Sequence, residues 1–402
     1  MLRFLTAGES HGRALIAILE GVPAGLRIDF DAITTELRRR QGGYGRGRRM
    51  AIEHDAAEIL SGVRGGVTTG GPIALLVQNR DWENWQSTMH VSAEAPPTPA
   101  GTPRRAVTRP RPGHADLAGA IKYGHADLRD VIERASARET AARGAAGALA
   151  RQLLAVADVA LASHVFSIGD VTLANPHTVT FAQVASVPAD SALRCTDPDV
   201  EARMVAAIDR AREAGDTLGG AFEVIAHHVP AGLGSYAHWD RKLDGRLAQA
   251  FMSIPAIKAV GIGLGPEAAA RHGSRVHDEI LPAPADASGC VPGLSRPTNH
   301  AGGLEGGVTN GEDVRVTGYM KPISTLMNPL RSIDLQTGEP AEAAIERSDV
   351  CAVPAAAVVG EAMMALVLAD ALIEKFGGDT IDDLRASLHA WQDRLRARFS
   401  RS

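Results

Sequence analysis

The stretch Arg129-Asp130-Val131-Ile132-Glu133-Arg134-Ala135-Ser136-Ala137-Arg138-Glu139-Thr140, continuing as AARGAAGALARQLLA to Ala155, decides how the chain is read. It is rich in alanine and carries apolar residues at three- and four-residue spacing, which predicts a helix over 129–155. Upstream, Ile59 to Val63 and Ile73 to Val77 read as strands, the second following the turn Thr69-Gly70-Gly71-Pro72. Further back, Asp31 to Arg40 reads as a helix, with Asp31 available as a cap and Arg38, Arg39 and Arg40 in its last turn. Downstream come a helix at Pro198 to Ala214, a strand at Gly220 to Val229, a helix at Lys242 to Met252 and a glycine-rich region through Gly265. Helices at Pro354 to Phe376 and Ile381 to Phe399 close the chain. Helices and strands mix without a regular βαβ repeat, so the expected class is α+β with antiparallel or mixed sheets. The tetrapeptide GHAD occurs at 113–116 and 124–127, too local to define a repeat fold.

A chain of 402 residues with 45% apolar and 22% charged residues has globular composition and enough length for a sizeable core. A single large domain over 1–402 is expected, with the Pro-, Thr- and Arg-rich region around 90–112 as an exposed, mobile loop. The net charge of −5 argues against a general nucleic-acid binder, which needs excess cationic charge. Cys195, Cys290 and Cys351 are dispersed and form neither a metal-type CxxC nor a disulfide framework, which fits a reducing compartment. The start MLRFLTAGESHG has no long apolar run, and the apolar stretch Ala355 to Ile373 is interrupted by Glu361 and Asp370. That stretch reads as a buried helix rather than a membrane span, and the protein is expected to be soluble and cytoplasmic.

Several segments carry chemistry. In Gly8-Glu9-Ser10-His11-Gly12 an imidazole sits between glycines, suited to proton exchange near a ligand or to a plain surface turn. Arg38, Arg39, Arg40, Arg46, Arg48 and Arg49 lie in a glycine framework (Gly42, Gly43, Gly45, Gly47). Such a loop suits a small polyanion, because guanidinium pairs bidentately with phosphate and carboxylate; a solvated basic helix end reads the same way. RNA is a third reading, but Tyr44 is the one aromatic nearby and stacking platforms need more. Arg109 to Asp116, RPRPGHAD, adds Arg111 and His114 directly after the loop, as either a closing element or a stiffened linker. In Glu133 to Arg143 the small residues Ala135 and Ala137 admit a flat ring against the backbone; an ordinary salt-bridged helix is the alternative. GGLEGG (302–307) and Met320-Lys321-Pro322-Ile323-Ser324-Thr325 combine permissive glycines with a cation and hydroxyls suited to phosphate. Asp349, flanked by Arg347, is either a base held ionised or a helix cap.

Taken in this order, GESHG, RRQGGYGRG, RPGHAD, ERASARETAAR, GGLEGG with MKPIST, and RSDVCAVP resemble the chorismate synthase family along essentially the whole chain. The resemblance implies a β-α-β sandwich, a homotetramer and reduced FMN. It implies anti-1,4-elimination of phosphate from 5-enolpyruvylshikimate 3-phosphate to chorismate, without net redox change and without a metal. His11 would then protonate the departing phosphate, His114 would keep the reduced flavin correctly protonated, and Asp349 would take the ring proton by way of the flavin. Flavin contacts would fall on Arg134, Ala135, Ser136, Pro255, Ala256, Gly306, Lys321, Pro322, Ile323, Ser324, Thr325 and Arg347. Arg40 and Arg46 match arginines associated with NADPH in the family, and the same cluster with Arg49 would receive the substrate's anionic groups. The chain departs from the family pattern at Ala259 to Pro266, where Gly261 stands at the usual acidic position and Pro266 at the usual Phe. A flavin oxidoreductase would share the FMN contacts without needing so many anion-binding arginines. A polyanion- or RNA-binding protein would show steep salt dependence and no effect of His11 or Asp349 substitution.

Overall fold

The computed structural model describes residues 1–47, 55–92, 106–283, 291–346 and 349–399. In chain order the first part contains β1 (Arg3–Ala7), β2 (Ala14–Glu20), α1 (Phe30–Gln41), β3 (Ala57–Ile59), β4 (Val63–Arg64), β5 (Val67–Thr68), β6 (Ile73–Gln78) and α2 (Trp82–Trp85). Then follow α3 (Asp116–Tyr123), α4 (Arg129–Ala135), α5 (Thr140–Ala155), β7 (Ala160–Ile168), β8 (Val171–Thr172), α6 (Phe181–Ala185), α7 (Pro198–Glu213) and β9 (Gly220–His227). The remainder is α8 (Leu243–Met252), β10 (Ile257–Ile262), the hairpins β11–β12 (281–282 with 294–295) and β13–β14 (304–305 with 308–309), β15 (Val314–Met320), the hairpin β16–β17 (331–333 with 340–342), α9 (Val353–Phe376) and α10 (Ile381–Phe399).

Two antiparallel sheets enclose a layer of helices. The first has strand order β1-β2-β6-β3, the second β10-β15-β9-β7-β8. Alternation decides the first sheet: Leu15, Ala17 and Leu19 of β2 and Ile73, Leu75 and Val77 of β6 are buried, while Ile16 and Ile18 face outward and are exposed. α5 packs on β2 and β6, and α9 packs on β7 and β9, so these two helices stack between the sheets with α1 alongside. The result is the α+β sandwich expected from the sequence. α5 and α9 approach closely because Gly147 faces Ala362; a Cβ at Gly147 would lie 2.4 Å from the Ala362 Cβ.

α9 is buried around its whole circumference, which explains a composition apolar enough for a membrane span. Its one deep charge, Glu361, is fully buried. Arg39 binds it bidentately at 2.7 and 2.8 Å, the Ser163 hydroxyl donates at 2.5 Å, and Arg151 completes the network. Burial alone would raise the Glu361 carboxyl, but Arg39 and Arg151 hold it well below the usual carboxylate range.

Two expectations change. The helix over 129–155 is interrupted at Ser136, whose backbone is extended (φ −65°, ψ 141°) and whose side chain accepts from the Arg138 N–H. The strand expected over 59–63 divides into β3 and β4, because Gly62 turns with φ 80° tight against Pro72 and Ile73. Of the loop around 90–112, residues 93–105 lie outside the described ones. Residues on its downstream side are tied down: Thr108 Oγ1 donates to Asp334 at 2.9 Å, and the Pro110 carbonyl accepts from Ser332 at 2.6 Å.

Candidate functional site

GESHG is the turn that joins β1 to β2. Gly8 adopts φ 105°, and a Cβ there would sit 2.4 Å from the Ala14 carbonyl oxygen, so the turn requires glycine. α4 braces it. Arg134 donates to the Gly8 carbonyl at 3.1 Å and to the Thr6 carbonyl at 3.0 Å, and Ser10 N–H donates to the Glu133 carbonyl at 2.9 Å. His11 is thereby held over Glu133, with Nδ1 2.9 Å from Oε1 and the backbone N–H 2.7 Å from Oε2. Trp85 stacks on its ring with centroids 3.7 Å apart. Burial would raise the Glu133 carboxyl, but the bonds from His11 and the nearby Arg129 hold it below its ordinary value.

The break at Ser136 opens a cavity of about 470 Å³ beside this turn. Its walls include Thr6, Arg134, Ala135, Ser136, Arg143 and Pro255. Arg143 is oriented by Glu139 at 2.9 Å and by the Ser253 hydroxyl at 2.8 Å. The volume falls in the ~300–1,000 Å³ range of small-ligand sites. Glu139 also lines it and offsets Arg143, which leaves Arg134 as the uncompensated cation beside small Ala and Ser residues, a lining suited to a flat anionic ligand.

From Pro255 the site continues to the second histidine. Ala256 has φ 68°, uncommon for a residue with a Cβ, and its carbonyl accepts from the Lys321 N–H at 3.0 Å. Lys321 Nζ and Ser324 in turn face Gly113, within 3.8 Å of where its Cβ would be. Arg111 donates to Thr325 Oγ1 at 2.9 Å and to the Asp116 carboxylate at 2.9 Å. His114 Nδ1 lies 2.5 Å from Asp116 Oδ1 and 3.0 Å from Arg111 Nη2. Arg111 is a donor only, so the fully buried Asp116 is the acceptor that orients His114. Burial would raise the Asp116 carboxyl, but His114 and Arg111 pull it well below the usual range. Burial, followed by the neighbouring charge of Lys258, lowers the Lys321 ammonium. Thr217 Oγ1 donates to the Ile323 carbonyl at 2.7 Å and fixes the far side of the loop.

A third group joins α1, its following loop and the segment before α9. Arg40 is buried, with Nη2 2.6 Å from Asp55 Oδ2, and Arg138 Nη1 lies 2.5 Å from Asp55 Oδ1. Burial lowers the Arg40 guanidinium; Asp55 opposes that shift, while Arg138 and Arg46 add to it. Asp349 accepts from the Gly47 N–H at 2.6 Å and pairs with Arg46 at 2.9 Å. The loop itself is anchored by Tyr44, whose hydroxyl donates to Asp209 at 2.8 Å.

Among the sequence-derived candidates, Arg134, Ala135, Ser136 and Pro255 therefore line one cavity, and His11 lies outside its lining, bound to Glu133, the residue before Arg134. Ala256, Lys321, Thr325 and His114 form a connected chain, and Pro322, Ile323 and Ser324 belong to the same loop. Arg40, Arg46 and Asp349 form the third group. Gly306 does not join the cavity within one chain. Its hairpin packs against Tyr236 and Lys242 before α8, whereas Ser253 and Pro255 follow that helix, whose ten residues rise about 15 Å. Arg49 and Arg347 lie outside the described residues. Sequence reasoning did not find Trp85 or Asp55, nor that Glu133 and Asp116 hold the two histidines. Asp116, two residues after His114, was the one partner with a local signal.

The family model described as chorismate synthase matches residues 2–373. A chorismate synthase of Moorella thermoacetica is 58% identical over 396 residues, covering 98% of this chain and 100% of the relative. One of Desulforudis audaxviator is 56% identical over 397 residues, covering 99% of each. A crystal structure of chorismate synthase superposes with a TM-score of 0.76 at 43% identity, covering 98% of both chains. The chain belongs to the chorismate synthase family, and its activity is that family's: a carbon–oxygen lyase of the shikimate pathway that eliminates phosphate from 5-enolpyruvylshikimate 3-phosphate to give chorismate for aromatic amino-acid biosynthesis.

Proposed function

We propose that this elimination is carried out with reduced FMN seated against Arg134, Ala135, Ser136 and Pro255, and with His11, His114 and Asp349 as the proton-handling residues. The observation that carries this reading is the cavity itself: its small residues leave room for a flat ring, while Arg134 offers charge to an anion. Reduced flavin, when bound, supplies transient electron density to the allylic system as phosphate leaves.

The protein's own groups do the rest. His11, stacked on Trp85 and held at Nδ1, delivers a proton from Nε2 to the departing phosphate. His114, held at Nδ1 by Asp116, presents Nε2 for proton exchange beside Lys321 and Thr325, where the cofactor is proposed to lie. Asp349 is the terminal acceptor of the ring proton, its carboxylate oriented by Arg46 and the Gly47 N–H. The substrate bears a phosphate and two carboxylates, so the arginines at 40, 46 and 49 supply the field that draws it into a chain of net charge −5. Arg40 contributes charge rather than contact, since it is buried against Asp55. Arg46 is the described arginine proposed to meet NADPH where NADPH is the reductant.

A homotetramer in the cytoplasm completes the proposal. Its self-association is supported by the outer face of the first sheet, where Leu5, Ile16 and Ile18 are exposed side by side in a register that pairs Leu5 with Ile18. The cavity assignment is tested by Ala135→Trp, which fills the space. Anaerobic titration with reduced FMN is expected to show lost binding in a protein with wild-type circular dichroism; undiminished affinity would overturn the placement.

A further inference from the structure

Glu133 is a buried carboxylate whose side chain has no solvent exposure; it directly precedes Arg134 of the cavity wall but is not itself a lining residue. Both its oxygens are committed to His11: Nδ1 lies 2.9 Å from Oε1 and 3.0 Å from Oε2, and the His11 backbone N–H donates to Oε2 at 2.7 Å. Arg129 holds the carboxylate from behind at 3.3 Å, and its guanidinium also lies 5.4 Å from the Trp85 ring centroid and 3.3 Å from Glu346. Trp85 is fixed in turn by its indole N–H, which donates to Asp81 at 3.0 Å. Two separate chain segments, α4 and α2, thus hold one imidazole ring and leave its Nε2 as the atom without a hydrogen-bond partner among the described residues.

We infer that Glu133 is a positioning residue of the elimination, fixing the tautomer and ring plane of His11 so that Nε2 is the nitrogen that exchanges the proton. The inference rests on the proposed role of His11. A carboxylate accepts and never donates when ionised, so the neutral ring must carry its proton on Nδ1. Nε2 then takes up the second proton, and the imidazolium so formed stays paired with Glu133 until Nε2 gives that proton to the phosphate oxygen as the carbon–oxygen bond breaks. Without the carboxylate the ring is free to rotate on Trp85 or to hold its proton on Nε2, and neither state is ready to recharge. Arg129 and Trp85 act on the carboxylate and on the ring from opposite sides and are its braces.

The test is a double-mutant cycle on the full-length protein with reduced FMN and substrate under anaerobic conditions. Glu133→Gln keeps the shape, removes the negative charge and turns one of the two acceptor oxygens into a donor amide, so the backbone N–H and Nδ1 of His11 can no longer each have a carboxylate oxygen. It is expected to lower kcat by about 10²-fold, the scale of a lost general acid–base contribution, with KM within about twofold of wild type. Glu133→Asp is expected to recover part of that loss. In a His11→Ala background Glu133→Gln is expected to cost nothing further, because its effect passes through the ring. An equal loss in both backgrounds would show that Glu133 is merely structural and overturn the inference. If His11→Ala loses turnover while Glu133→Gln does not, the inference fails and the reading of His11 stands; if His11→Ala turns over at the wild-type rate, that reading fails first. Histidine-selective ¹⁵N spectra of the unsubstituted protein give an answer independent of any folding defect: a neutral His11 protonated at Nδ1 supports the inference, and one protonated at Nε2 contradicts it.

Discussion

Arg46 and Asp349 meet at 2.9 Å, joining the glycine–arginine loop after α1 to the segment that leads into α9. The Gly47 N–H donates to the other carboxylate oxygen at 2.6 Å, and the Val350 N–H donates to the Gly45 carbonyl at 2.8 Å, so backbone and side chain hold the junction together. The arrangement makes Asp349 an oriented acceptor rather than a helix cap. Asp349→Asn is therefore expected to leave the fold intact and reduce kcat by about 10²-fold or more, measured as anaerobic chorismate release. Wild-type kcat in that variant would remove Asp349 from the mechanism.

The second histidine has its own carboxylate, which gives a separate prediction. His114→Ala is expected to fold normally, as judged by thermal melting, and to lose turnover on the scale of 10²–10⁴-fold. Asp116→Ala removes the acceptor shared by His114 and Arg111 and leaves Arg111 buried without its partner. It is expected to lower stability by about 3–5 kcal/mol as well as activity, because an uncompensated buried charge remains. Equal stability of the two variants in urea titrations would contradict this division.

Glu361 governs stability without touching the cavity. Glu361→Ala removes the buried acceptor of Arg39, Arg151 and the Ser163 hydroxyl while both arginines keep Glu36, and it is expected to cost about 1–3 kcal/mol. Chemical denaturation should show the lowered midpoint, and a loss below about 1 kcal/mol would mean that the ionic network adds little.

The acid limb of stability follows from five separate buried carboxylates of this kind, the fifth being Glu223 of β9, which binds Arg315 at 2.6 Å and His164 at 3.1 Å. Asp55, Asp116, Glu133, Glu223 and Glu361 all titrate below their ordinary values in the folded protein: burial alone would raise each, but paired Arg or His groups outweigh it. The unfolded chain therefore binds more protons than the folded one below about pH 4, the ordinary carboxylate range. The stabilisation these groups provide is fully present above that range and is lost as pH falls through it toward the depressed folded values. Thermal melts between pH 7 and pH 3 are expected to show melting temperature falling mainly below about pH 4.5. A melting temperature unchanged down to pH 3 would contradict the burial of these pairs.

Much of the layout was legible because the long elements carry their own signal. α1, α7, α8, α9 and α10 lie within a residue or so of where periodicity put them, although α1 is capped by Asp29 and not by Asp31, which sits inside its first turn, and β6 and β9 read clearly as apolar strands. What escaped depends on contacts between distant segments. The break at Ser136 is a side-chain competition that helix periodicity does not record, yet it creates the cavity. β10 was hidden in a glycine-rich run: Gly263 there packs against the backbone of His300 and Gly302, an approach that only the fold reveals. Within the altered family segment 259–266, residues 259–262 pair with β15 after a register shift between Ile257 and Ala259, and Glu267 just beyond the segment bonds His177 at 3.0 Å. At the site, the histidines were readable from glycine-flanked motifs. Their carboxylates were not singled out, because Glu133 is separated from His11 by more than a hundred residues and looks like any helix-surface acid. Asp55 had no sequence signal; it becomes a partner only when Arg40 and Arg138 are folded against it.

The account stands most directly on the role of His11 in an elimination assisted by reduced FMN. The deciding measurement is an anaerobic assay of phosphate and chorismate together, with reduced FMN and 5-enolpyruvylshikimate 3-phosphate, on the wild-type protein and His11→Ala. The predicted result is equal release of both products by the wild type and loss of both, on the scale of 10²-fold or more, in a variant that still binds reduced FMN. Wild-type release of both products by His11→Ala would contradict it.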